Sequence, residues 1–141
     1  MDLEHGHVRL AEQADLDFVC QDGYLPREVV AHKIAQGEVF LVARGQQPVG
    51  YLRLEYLWSL VPYIALIHVQ EAHRNHGFSR LLLGFVMDHL RERGHDCLYS
   101  SSQADEPQPQ AWHRHIGFEE CGVITGINDG GVGEIFFRIS F

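Results

Sequence analysis

The chain lacks any long apolar run. No stretch approaches the roughly 20 apolar residues that a membrane-crossing helix needs, so no membrane association is expected. The first residues, Met1 to Glu12, are polar and charged, and no basic start leads into an apolar segment; a secretory leader is not expected. Cysteine is scarce and odd in number: Cys20, Cys97 and Cys121. Three cysteines do not make a disulfide framework, and they point to a reducing, cytoplasmic setting. Cys97 and Cys121 stand among apolar neighbours and read as buried, inert thiols. Basic charge is also short. Eleven Lys and Arg face 19 Asp and Glu, for a net charge of −8, which disfavours a general affinity for nucleic acid backbones. The same sign suits solubility and is compatible with a cationic partner.

Apolar residues are plentiful, at 45% of 141. That suffices for one compact domain over residues 1–141 that folds by burial. Its elements follow from periodicity and punctuation. A first strand is expected at His7 to Ala11, then helices at Ala14 to Cys20 and Leu25 to Gln36, the second with Pro26 in its first turn and Gly37 just past its end. Glu38 to Arg44 and Val49 to Leu57 read as an antiparallel hairpin. In the second of these strands Leu52 and Leu54 alternate with Arg53 and Glu55. Tyr63 to Val69 is apolar enough for a central strand. A long helix from Ser79 to about Arg93 keeps Phe78, Leu81, Leu82, Phe85, Val86 and Leu90 at helical spacing, and Gly94 ends it. Cys97 to Ser101, a short helix from Pro109 to Ile116, and strands at Phe118 to Ile127 and Glu134 to Phe141 complete the chain. The turn Asn128-Asp129-Gly130-Gly131 joins the last two. The order β-α-α-β-β-β-α-β-α-β-β predicts an α/β (or α+β) domain with a mixed sheet.

One segment carries chemistry. Arg74-Asn75-His76-Gly77-Phe78-Ser79 is a polar glycine turn between a strand and a helix start. Amides opening a helix lack intrahelical acceptors, and the helix dipole adds partial positive charge. Gly77 allows close approach of a ligand or a positive φ, and Arg74 and Arg80 add cationic charge. The turn suits a pyrophosphate. It lacks the Gly-Lys-Ser/Thr ending of a P-loop and the G-x-G-x-x-G of a dinucleotide fold. Histidines are numerous, but His113-x-His115 and the pair His73 and His76 find no third ligand at suitable spacing, so no metal is expected.

That turn resembles the pyrophosphate signature Gln/Arg-x-x-Gly-x-Gly/Ala of the GNAT N-acetyltransferase superfamily. The strand before it, through Ile67-His68-Val69, is similar to the family's hydrophobic-x-Val pattern. Trp112-His113-Arg114-His115-Ile116-Gly117-Phe118 resembles its Phe-Tyr-x-Lys-x-Gly-Phe segment. The resemblance covers nearly the whole chain. It implies a central, mostly antiparallel mixed sheet flanked by helices, and acetyl-CoA as cosubstrate. The pantetheine arm would lie against backbone near Ile67, His68 and Val69, in a splay between the strand ending there and the strand at Cys97 to Ser101. The pyrophosphate would sit on Arg74, Asn75, His76, Gly77, Phe78, Ser79 and Arg80. The implied activity is transfer of an acetyl group to a primary amine of a small molecule, peptide or protein. The alternative is a GNAT-like module that holds acyl-CoA without turnover.

Three positions depart from the family pattern. Ser79 replaces a smaller residue, Glu106 stands where an Asn often contacts CoA, and His113 occupies the position of the general-acid Tyr. An ordinary His titrates near 6.5, about where an acid at neutral pH should, so His113 is the candidate proton donor to sulfur. Its alternative is a helix-surface residue. Glu55, alternating away from Leu52 and Leu54, is the candidate general base, or else a solvated residue or a partner of Arg53. His68 faces opposite to Ile67 and Val69 and either lines a cleft or is a satisfied core group. Tyr56, Trp58 and Tyr63 are expected to cluster, as core or as an aromatic wall for the acceptor. Strands near the C-terminus are available for pairing with a second copy.

Overall fold

The computed structural model describes residues 6–141; the first five, part of the polar N-terminal stretch, lie outside the described residues. Seven strands form one sheet in the order β1-β2-β3-β4-β5-β7-β6. They are β1 (Gly6–Leu10), β2 (Val39–Arg44), β3 (Gln47–Leu57), β4 (Val61–Val69), β5 (Cys97–Gln103), β6 (Glu119–Ile124) and β7 (Glu134–Ser140). The helices are α1 (Leu16–Val19), α2 (Arg27–Ala35), α3 (Phe78–Glu92) and α4 (Pro107–Ile116). The apolar strand β4 is fourth of seven, as its composition predicts. It pairs with β5 in parallel through Tyr63 and Tyr99, whereas β1–β2, β2–β3, β5–β7 and β6–β7 are antiparallel. The mixed α/β fold expected from the order of elements is present.

The chain packs as two compact units. The first comprises Leu66–His89 and the described residues up to Leu54. Its core joins Ala11, Val19, Val30, Ile34, Val39, Leu41, Ala43 and Tyr51, with Leu16, Phe18, Leu25 and Leu66 packed against them. Each fully buried aliphatic or aromatic side chain here contributes about 1.5–3 kcal/mol. The second unit comprises Glu55–Ala65 and Leu90–Phe141. There Leu98, Phe118 and Phe137 are buried with Ser100 and His113. Within α3, residues Phe78, Leu82, Val86 and Leu90 are all buried at i, i+4 spacing, the stripe that the periodicity predicts.

Several local expectations need correction. The helix expected at Ala14 to Cys20 is a 3-10 turn, Gln13–Asp15, followed by the single-turn α1. Its start is held by Asp15, which accepts from the amide of Glu12 and pairs with Arg9 at 2.7 Å. Pro26 is the N-cap of α2 and not a first-turn residue. Helix α4 begins two residues earlier than expected, because Pro107 fits the first helical position, where no amide donor is needed. Arg53 alternates with Leu52 and Leu54 as expected, but it does not share the exposure of Glu55. It is buried and pairs with Asp22. Tyr56, Trp58 and Tyr63 do not cluster. Trp58 and Ser59 both have positive φ, 54° and 62°, and form the two-residue turn closed by Leu60 N–H to Leu57 O at 3.0 Å. That turn leaves Trp58 83% exposed, while Tyr56 lies near His95 and Tyr63 stacks on Phe136. Cys121 is exposed on β6 and Cys97 is half-buried, so neither is a deeply buried thiol.

Candidate active site

The β4–α3 connection has the geometry of an anion cradle. After Val69 a 3-10 turn, Glu71–His73, leads to Arg74 in extended conformation. Asn75 and Gly77 then take positive φ, 65° and 86°. Alternation of left-handed and ordinary backbone points successive amides to one side, forming an anion-binding concavity. The glycine adopts this conformation without steric cost, and Asn is among the side chains that tolerate it. The first bond within α3 runs from Leu81 N–H to Gly77 O, at 3.0 Å, so the amides of Phe78 and Arg80 have no acceptor within the helix. Arg74 is anchored by its Nε, which donates to the carbonyl of Val69 at 2.9 Å. The Nδ1 of His73 is buried in this turn without a hydrogen-bond partner. The sequence places Arg74, Asn75, His76, Gly77, Phe78, Ser79 and Arg80 on this connection, and the structure brings them together there. These groups fit a pyrophosphate.

Ile67, His68 and Val69 are half-buried at the end of β4. Opposite them, Gly50 of β3 approaches closely: a Cβ built there would stand 2.7 Å from the carbonyl oxygen of His68. The imidazole of His68 lies 5.4 Å from the Tyr51 ring. Burial lowers its pKa below the usual histidine value, helped by the charge of Arg74 and opposed by Asp22.

Asp22 is the anchor of this unit. Its carboxylate accepts from Arg53 at 3.0 and 3.1 Å and from the Tyr51 hydroxyl at 2.7 Å. Burial works against its ionisation, but the bonds from Arg53, Tyr51 and the Tyr24 amide prevail and hold it down at about 2. Burial and the same carboxylate push the Tyr51 phenol well above its ordinary value. The sequence carries no local sign of this pair, since Asp22 lies in a turn 31 residues before Arg53.

In the second unit His113 is buried, at 3% exposure. Its ring stacks on Phe137 at 4.4 Å, with the planes 2° apart. Nδ1 lies 2.7 Å from the carbonyl of Pro109, and Nε2 lies 2.7 Å from the hydroxyl of Ser100. A carbonyl only accepts, so Nδ1 carries the proton of the neutral ring and Nε2 accepts from Ser100. Desolvation lowers its pKa, outweighing the bond to Pro109 and the Glu134 charge. The neutral ring therefore has no second proton to give. The expected alternative, a helix-surface residue, does not hold, because the side chain is buried.

Glu55 is exposed on β3, and its charge is felt at Tyr63. Tyr63 is half-buried, and its hydroxyl lies 2.6 Å from that of Ser101. Ser101 in turn donates to Glu134 at 2.6 Å. Sequence reasoning missed Ser101 and Glu134. The three side chains come from three strands, and the one legible trace is the run Ser100-Ser101-Ser102, which puts hydroxyls on both faces of β5. Among the described residues no group of three or more His, Cys, Asp or Glu is placed to hold a metal, and no helix is long and apolar enough to cross a membrane.

The fold is a mixed sheet with a parallel β4–β5 pair and an anion-binding turn leading from β4 into α3. Residues 8–118 match the family model described as "Acetyltransferase (GNAT) family", and the chain belongs to that family. Among solved structures it is similar to a GNAT acetyltransferase from Bacillus cereus, with a TM-score of 0.79, 22% identity and 96% of each chain covered. It is also similar to the ribosomal-protein-S18-alanine N-acetyltransferase of Escherichia coli, with a TM-score of 0.77, 19% identity, and 96% and 93% covered. The Salmonella typhimurium protein yncA, solved with its cofactor acetyl-CoA, gives a TM-score of 0.80 at 15% identity, with 96% and 94% covered. No curated protein matches the sequence.

Proposed function

We propose that the protein transfers an acetyl group from acetyl-CoA to a primary amine, as a cytoplasmic enzyme. The observation that carries this reading is the β4–α3 connection, where left-handed Asn75 and Gly77 lead directly into a helix start. In this reading the amides from Asn75 to Arg80 hold the pyrophosphate, and Arg74 and Arg80 add charge. The backbone of Ile67, His68 and Val69 lines the pantetheine arm. Bound acetyl-CoA supplies a thioester whose acyl carbon is open to attack by a neutral amine. Going from ammonium to amide, the attacking nitrogen sheds two protons. One of these satisfies the departing thiolate, so His113 need not act as an acid; it fixes α4 to β5 instead. Glu55 supplies negative charge that favours a cationic acceptor.

One observation favours the second reading, a module that holds acyl-CoA without turnover: both nitrogens of His113, at the family's acid position, are already engaged. Calorimetric titration with acetyl-CoA, followed by detection of CoA release with a panel of primary amines, separates the two. Binding with release supports the enzyme; binding with no release across the panel supports the module; no binding removes both.

A further inference from the structure

Strand β5 presents its side chains alternately. Leu98, Ser100 and Ser102 are buried, and Ser100 meets His113, whereas Tyr99, Ser101 and Gln103 turn to the other face and are half-buried. On that second face a hydrogen-bonded chain crosses three strands. The Tyr63 hydroxyl of β4 meets the Ser101 hydroxyl of β5 at 2.6 Å, and Ser101 meets Oε2 of Glu134 in β7, also at 2.6 Å. The other carboxylate oxygen, Oε1, accepts from the amide of Asn128 at 2.9 Å. The Tyr63 ring is held by its stack on Phe136.

The chain has a direction. Ser101 has one hydroxyl proton and directs it at Glu134, which when ionised can only accept. Tyr63 must therefore donate to Ser101. Every proton in the chain points toward Glu134, and the lone pairs of the Tyr63 oxygen stay available to accept from a donor outside. Glu134 has no cationic partner among the described residues; its polar side-chain contacts are Ser101 and Asn128. The charges felt at Tyr63 are Glu55 from β3 and Glu134 itself. Tyr99 of β5 and Arg138 of β7 share this face, with Arg138 over the Tyr99 ring at 5.9 Å, and His113 from α4 lies on the opposite face of β5 against Ser100. His113 is kept neutral by desolvation and does not offset the carboxylate. A site with an uncompensated carboxylate behind a phenol suits an ammonium group.

We propose that Tyr63, Ser101 and Glu134 form a proton relay that receives the acceptor's ammonium group and removes one of its protons, with Glu134 as the terminal acceptor. This rests on the acetyl-transfer reading above. The ammonium N–H donates to the Tyr63 oxygen as Tyr63 passes its proton to Ser101 and Ser101 passes its own to Glu134. One proton moves from substrate to carboxylate, and both hydroxyls end neutral. The freed amine lone pair then forms the C–N bond as the acyl C–S bond breaks, and the second nitrogen proton goes to the thiolate. Tyr63 is the group that touches substrate; Ser101 and Glu134 act through it. The charge of Glu134, with that of Glu55, repels an acceptor bearing a carboxylate beside its amine. The substrate class is thus an amine or a peptide N-terminus, not a free amino acid.

The test measures CoA release by wild type, Glu134→Gln and Tyr63→Phe from about pH 6 to about pH 10, a span that brackets the ordinary titration of a peptide α-amine at about 8. The probes are spermidine and an alanine-initiated tetrapeptide amide, with free alanine as the disfavoured acceptor. Both variants are expected to lose on the order of 10²-fold in kcat/KM for the amine at neutral pH. The deficit should shrink as pH rises toward the amine's own pKa, and affinity for acetyl-CoA, read by calorimetry, should stay unchanged. Should Glu134→Gln lose that affinity through misfolding, Tyr63→Phe, which removes one oxygen, decides alone. Variants that keep the wild-type rate and pH profile overturn the relay. A wild type that binds acetyl-CoA but acetylates neither probe also overturns it and leaves the donor site standing. A wild type that does not bind acetyl-CoA overturns the donor reading itself, and the relay with it.

Discussion

Ser100 gives its hydroxyl proton to Nε2 of His113 across 2.7 Å, because Nδ1 of the same ring is committed to the Pro109 carbonyl. The fold thus stabilises the neutral imidazole, and desolvation is the main reason its pKa is lowered. The unfolded chain takes up a proton at this site near pH 6.5, while the folded chain resists. Stability is full above that pH and is lost as pH falls below it. Urea unfolding of wild type between pH 7.5 and pH 5 should show the decline, to which the lowered pKa of His68 also contributes. His113→Phe should flatten the slope. A slope unchanged in the variant would mean that other groups carry it.

Asp22 and Arg53 make a second expectation. Asp22→Asn removes the charge facing a guanidinium that is only 2% exposed, and breaking one side of a buried ion pair costs about 3–5 kcal/mol. That is a large share of the stability of a typical domain. The pair also sets the acid limit. Held at about 2, the Asp22 carboxyl contributes about 2–3 kcal/mol above its unfolded pKa near 3.9, lost as pH falls from there toward 2. Chemical denaturation of the variant at neutral pH checks the first figure. A loss under 1 kcal/mol would show that Arg53 finds another partner.

What could be read in the sequence was local. The period of α3, the glycine after α2 and the β4–α3 turn each follow from residues within one segment, and the mixed α/β class followed from the succession of elements; the place of β7 between β5 and β6 did not. What could not be read depends on pairs far apart in sequence. Arg53 alternates with Leu52 and Leu54 as a solvent-facing residue would, and Asp22, from a distant turn, supplies the charge that makes its burial tolerable, beside the Val19 carbonyl. His113 is polar and lies on a helix, yet it is sunk between Ser100 and Phe137. Tyr63, Ser101 and Glu134 meet only once β4, β5 and β7 are side by side.

Gly77→Asp tests the donor site. Gly77 sits at φ 86°, where a side chain costs about 1 kcal/mol in strain, and a carboxylate there would face the pyrophosphate. Acetyl-CoA affinity should fall by more than tenfold by calorimetry, equivalent to more than about 1.4 kcal/mol, while thermal stability drops only modestly. An affinity equal to wild type would remove the pyrophosphate assignment.

Gly50→Ala probes the same cradle from behind. An added Cβ would lie 2.7 Å from the His68 carbonyl oxygen, 3.1 Å from a Val69 methyl and 3.2 Å from a Val42 methyl. The first of these is backbone and cannot rotate away, so β3 or β4 must shift, at a cost of about 1–3 kcal/mol. The peptide displaced joins His68 to Val69, on which the donor arm is proposed to lie, so acetyl-CoA affinity should fall along with Tm. Gly84→Ala is the matched control. It lies within α3, a Cβ there meets nothing within 4 Å, and replacing a helical glycine stabilises by up to about 1 kcal/mol. Its Tm should rise and its affinity hold. If Gly50→Ala loses stability but binds acetyl-CoA as wild type does, the end of β4 does not carry the donor.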